Sequence, residues 1–152
     1  MSEHTQSHAL ASFPGMLAVF VWALYVVSAV LYFPEFPPSV LAIGISGIVA
    51  CLAVAFNFKY WRPVVMLACL LYLILYVVRV VRMTALTTDA SFLSSLSFYY
   101  GASWSLGASM FQEKGVVGGM THALLEFVMP VLVLVLFAAT LMSWRRNLRD
   151  SS

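Results

Sequence analysis

Charge is what this chain has least of. Of its 152 residues, eight are Lys or Arg and six are Asp or Glu, 9% in all. A soluble domain carries about a quarter charged residues. A polar surface cannot be built from this composition, so most of the molecule must face lipid. No basic cluster lies outside the C-terminus, which excludes a nucleic-acid footprint. Cysteine is scarce too. Cys51 and Cys69 lie inside apolar runs and read as small buried hydrophobes, not as a disulfide or metal pair. Phosphate loops, zinc spacings, a Ser–His–Asp order, lipidation motifs and internal repeats are all missing.

What is abundant is apolar sequence, 62% of the chain. The length allows one domain, residues 1–152, with no room for a separate soluble one. Its most telling stretch is PVVMLACLLYLILYVVRVVR, Pro63 to Arg82, where only Arg79 and Arg82 are charged. That is a membrane-spanning helix with two arginines near one boundary. The other long runs give spans at about 14–33, 39–58 and 120–143, with the third extending over about 63–86. The first is preceded by no Lys or Arg and is longer than a signal h-region, so it reads as a retained span. In the polar stretch before it, His4 and His8 are spaced i, i+4, but no other ligand type lies near them.

Between spans 1 and 2 the link FPEFPPS holds three prolines, which stop a helix and make the two spans a hairpin. On span 2, Gly44, Gly47, Cys51 and Ala55 share one face, with Ala42, Ser46 and Ala50 in a row beside them. Small residues let helices approach closely in lipid, so span 2 reads as the helix most tightly enclosed. NFKYWR, with Lys59 and Arg62 around Tyr60 and Trp61, looks like a boundary turn. Trp144, Arg145, Arg146 and Arg149 close the last span in the same way.

Residues 90–112 are helical in pattern, but six serines between Ser91 and Ser105 make them much less apolar than the spans. They read as an interfacial or re-entrant helix between spans 3 and 4; a fifth span is the alternative. The glycines Gly118 and Gly119 mark a hinge before the last span. The fold expected is therefore all-α, a bundle of four transmembrane helices plus one interfacial helix. Counting Lys and Arg near the spans gives five against three in either topology, so charge does not choose between them. Four spans place both termini in the cytoplasm of a bacterial inner membrane.

The polar focus is expected where span 3 ends and span 4 begins. Tyr72, Tyr76 and Arg79 lie at i, i+4 and i+7 on one face. His122 and Glu126 stack at i, i+4 on span 4, with Thr121 nearby. Pro130, four residues after Glu126, frees the Glu126 carbonyl from its helical hydrogen bond. Antiparallel order brings Arg79 and Glu126 to one depth. An unpaired charge in lipid costs about 2.5–3.5 kcal/mol on insertion scales, so the two should pair. That pair either bridges helices structurally or forms part of a pocket in which Glu126 and His122 exchange a proton or hold a ligand.

Haem bridged between helices wants a histidine on more than one span, and only His122 is available. The residues identify no metal set and no cofactor, and no catalytic set is complete. The first expectation is a small membrane subunit that packs, in the lipid bilayer, against other membrane subunits or copies of itself. The second is a compact transporter or a binder of a lipophilic molecule such as a quinone or lipid, using Arg79, His122, Glu126, Tyr76 and Tyr72.

Overall fold

A computed structural model of the chain describes residues 8–33, 35–84 and 92–150. His4, the last two residues of the third expected span (85 and 86) and the first two of the serine-rich helix (90 and 91) lie outside them. Every regular element among the described residues is helical. The helices are α1 (Phe13–Tyr32), α2 (Pro38–Ala55), α3 (Trp61–Thr84), α4 (Phe92–Ala123) and α5 (Met129–Asp150), with a π turn (Leu124–Val128) joining the last two. Among the described residues, four segments are long and apolar enough to cross a membrane.

Local chemistry sets the helix starts. Ser12 caps α1: its Oγ accepts from Gly15 N at 3.2 Å and donates to the Ala9 carbonyl at 2.6 Å. Pro14 and Pro38 sit in first turns, where a missing N–H costs nothing. The turn between α2 and α3 passes through Asn57 in the left-handed region, φ 50. The Asn57 side chain accepts from Ala9 N at 2.9 Å and so ties the N-terminal turn to that end of the bundle.

The four spans form a closed ring: α1 on α2, α2 on α3, α3 on α5, and α5 back on α1. Their shared core holds Trp22, Tyr25, Tyr72, Met129, Val133 and Leu136, all buried. Direction is read from two contacts. Arg62 Nε donates to Ser143 Oγ at 3.1 Å near one end, and Arg79 meets Glu126 near the other. The third and last spans are therefore antiparallel. A fifth span between them would have made them parallel; the described residues hold four segments of spanning length.

α4 is not one rod. Gly115, at φ 70 and ψ −165, breaks it in backbone that a side chain would not tolerate. The second part runs on through the π turn and α5 as one rod, residues 116–150, about 50 Å long at 1.5 Å per residue. The first part folds back along this rod. Ser103 lies against His122 and Tyr99 against Glu126, nearer the turn Phe111 lies against Gly119, and the serine-rich helix is thus one arm of a hairpin. The hinge lies at Gly115, not at Gly118 and Gly119. Those two are helical and serve close approach: a Cβ on Gly119 would stand 2.8 Å from Phe111 Cδ2.

α2 corrects a second expectation. It is the least enclosed span, with 22% of its apolar window buried against 39% for α1. Its buried line is Ile43, Gly47, Ala50 and Val54. Of the row Gly44, Gly47, Cys51 and Ala55, only Gly47 is buried; Ala55 is exposed, and a Cβ on Gly44 would meet nothing within 4 Å. The Trp22 ring decides this, since it presses on Gly47 so closely that a Cβ there would lie 2.6 Å from Cε3. The real stripe runs between the two small-residue rows. Lipid accepts apolar side chains as readily as protein does, so Leu41, Ile45, Ile48 and Leu52 can remain outside.

Candidate binding site

The π turn builds the site. Pro130 has no N–H to offer the Glu126 carbonyl, and the helix widens here: Met129 N reaches back five residues to Leu124 O. The Glu126 carbonyl then accepts from Tyr76 Oη at 3.4 Å. The widened turn aims the Glu126 side chain inward, where it is 2% exposed. Its Oε1 receives Arg79 Nη2 at 2.7 Å, and its Oε2 receives the Tyr99 hydroxyl from the hairpin arm. Tyr76 and Tyr100 share a hydroxyl–hydroxyl hydrogen bond of 2.9 Å beside them. Both carboxylate oxygens are thus held by strong donors, which is what a dry carboxylate needs.

Sequence reasoning placed Arg79, Glu126, Tyr76 and Tyr72 together, and the structure brings all four to one locus. Tyr72 stacks on Tyr76 with ring centroids 6.1 Å apart and meets Tyr25 and Trp22 edge-on. His122 is elsewhere. It is buried between α1 and the hairpin arm. Nε2 lies 2.8 Å from the Ser103 carbonyl, and Nδ1 lies 3.0 Å from Tyr32 Oη. A carbonyl only accepts, so Nε2 carries the hydrogen and, in the neutral ring, Tyr32 donates to Nδ1. Both ring nitrogens are committed to holding helices together. The hairpin arm can reach the ring because Gly107 has no side chain; a Cβ there would stand 2.9 Å from His122 Cδ2. Thr121 also stays out of the focus, as its hydroxyl bonds back to Val117 O at 2.8 Å.

Beside the ion pair lies a cavity of about 410 Å³ between α1, α2, α3 and the π turn. That volume is within the range of roughly 300–1,000 Å³ typical of small-molecule sites. Phe33, Val40, Ile43, Leu75 and Leu125 make its apolar wall; Tyr25, Tyr72, Tyr76, Arg79, Arg82 and Glu126 make its polar one. Tyr25 and Tyr72 are each 4% exposed, and neither hydroxyl has a hydrogen-bond partner among the described residues. Among the described residues the one buried side-chain polar atom without a partner is Trp22 Nε1; the two phenols line the cavity. Arg79 spends one nitrogen on Glu126 and keeps 47% of its side chain exposed. His122 does not line this cavity; it lines a separate groove of about 530 Å³ between the hairpin arms, with Trp104, Phe111 and Phe127.

Two members of the site carry no sequence signal of their own: Tyr99 reads as part of an apolar helical face, and Tyr25 as one of the aromatics on span 1. One signal was available for Tyr99: a carboxylate in lipid needs a donor for each oxygen, and arginine accounts for only one here. Compared with known proteins, the chain matches no family model, no curated protein and no solved structure. The functional reading therefore rests on the site.

Proposed function

We propose that this chain is a membrane-embedded binding protein, not an enzyme, which holds a small amphiphilic molecule in the cavity beside Arg79 and Glu126. The observation that carries this reading is the 410 Å³ space itself, enclosed by α1, α2, α3 and the π turn beside the ion pair, with Tyr25 and Tyr72, whose hydroxyls have no partner among the described residues, on its wall. A ligand supplying acceptors there would satisfy both. Glu126 is already saturated by Arg79 and Tyr99, so it works as the brace of the pocket wall and not as a free base. The hairpin arm dips from the outer face to bring Tyr99 to the pair. The end carrying Lys59, Arg62, Arg145, Arg146 and Arg149 faces the cytoplasm, and with it both termini, in a bacterial inner membrane.

The role of accessory subunit in a larger assembly draws less support. Its argument is exposed apolar surface, which any protein facing lipid displays.

The test is native mass spectrometry of the protein released from nanodiscs, with sizing in parallel. A bound non-detergent mass is expected in the wild type. The double variant Tyr25→Phe/Tyr72→Phe should lose it while keeping its helicity and its size. An empty wild-type cavity together with an unchanged melting temperature in the double variant would refute the reading.

A further inference from the structure

The formal charges on the cavity wall do not cancel. Glu126 is neutralised by Arg79 at 2.7 Å. Arg82, one helical turn further along α3, lines the same cavity and has no carboxylate partner among the described residues. It is exposed, as is Val78 beside it, so the guanidinium stands on the rim of the cavity and not in its depth. The wall therefore carries one net positive charge at the rim, two unpartnered phenol hydroxyls inside, and an apolar flank of Phe33, Val40, Ile43, Leu75 and Leu125.

Resting on the binding role proposed above, we infer that the occupant is an anionic amphiphile: a carboxylate or phosphate head at Arg82, flanked by Arg79, with its chain against the apolar wall. The physical reason is that a guanidinium beside a low-dielectric cavity gains most from an acceptor carrying full charge, because each charge-assisted hydrogen bond is about twice as strong as a neutral one. Arg79 adds donors, because its guanidinium carries five N–H groups and its side chain stays 47% exposed beside Glu126. A neutral quinone would satisfy the tyrosines but offer Arg82 no charged acceptor. The head can come from a free single-chain acid or from a bilayer phospholipid; the chemistry at Arg82 is the same.

Trp22 supplies the readout. It is fully buried in the core, 6.4 Å from the Tyr72 ring, and Tyr72 lines the cavity. In a variant whose only tryptophan is Trp22 (Trp61, Trp104 and Trp144→Phe), the protein is placed in phosphatidylcholine nanodiscs. Fluorescence is then titrated with dibromostearic acid above its ionisation range, with dibromostearyl alcohol, and with dibromo-phosphatidylglycerol. The expected result is saturable quenching by the acid, by the phosphatidylglycerol, or by both, but not by the alcohol; which anion quenches identifies the source. Arg82→Gln should raise the half-quenching concentration about tenfold, the loss of one charge-assisted contact. Equal quenching by alcohol and acid, insensitive to Arg82→Gln, would overturn the anionic class and leave the cavity as a site for neutral amphiphiles. No saturable quenching by any probe would overturn this inference and the binding role together.

Discussion

The third and last spans meet at both ends through an arginine, and the two meetings differ. At one end Arg79 faces a carboxylate that is 2% exposed and also bonded to Tyr99. At the other, Arg62 stacks on Trp61 at 4.8 Å and donates to the neutral Ser143; with its amide oxygen turned to accept, Asn147 receives Arg62 Nη1 at 2.8 Å. The difference follows from depth. Arg62 opens its helix at a boundary, where water and headgroups share in solvating it. Glu126 sits a turn or more inside its rod, under the hairpin arm, where only protein donors can replace water. A full charge pair is built where desolvation leaves no other solution, and neutral partners suffice where it does not.

Removing the carboxylate should have the largest effect. Glu126→Ala leaves Arg79 without its partner and Tyr99 without an acceptor, and should cost up to about 3 kcal/mol, below the full cost of breaking a buried pair because Arg79 is 47% exposed, read as a fall in the thermal unfolding midpoint in detergent. Replacing both partners, Arg79→Met with Glu126→Met, should recover most of that loss, because an ion pair with a buried member is worth little against apolar groups of similar volume. If the double variant is as unstable as Glu126→Ala, the bridge contributes net stability and the comparison between the ends breaks.

Tyr99→Phe is expected to cost about 1–3 kcal/mol, the value of one donor to a buried carboxylate. It should also release the hairpin arm, read as faster amide exchange over residues 96–114 with α3 unaffected. Protection unchanged in that arm would mean that His122 and Gly107 hold it alone. At the opposite end, Ser143→Ala should cost no more than about 1 kcal/mol, since Arg62 retains Trp61 and Asn147. A loss as large as that of Tyr99→Phe would show that the Arg62 end is as dry as the other.

Much of the bundle was legible from residues alone, for reasons of solvent. A stretch such as Pro63 to Arg82 has no alternative to spanning, and Arg79 and Glu126 have no cheap alternative to each other once their helices run antiparallel. Pro130 likewise announced a free carbonyl, and Tyr76 takes it up. The misses share another cause. On α2, two small-residue rows lie side by side, and periodicity does not say which faces a neighbour; the Trp22 ring chose the stripe through Gly47. His122 stacks with Glu126 on an ideal helix, but it is separated from the cavity by its own pairing with Tyr32 and Ser103. Gly118 and Gly119 look like a hinge in sequence, but the break falls at Gly115, the glycine with φ 70.

Hydropathy by itself determined that this chain crosses a membrane in long helices, because each such segment pays for its backbone internally whatever its neighbours are. The cost of charge in lipid determined that Arg79 needed Glu126. Which tyrosine would serve the second carboxylate oxygen, that Tyr25 and Tyr72 would line a 410 Å³ space, and that His122 would clamp helices were decided only by tertiary structure. Those outcomes depend on side chains from three or four helices arriving at one depth and one rotation. No single helix carries that information in its own period.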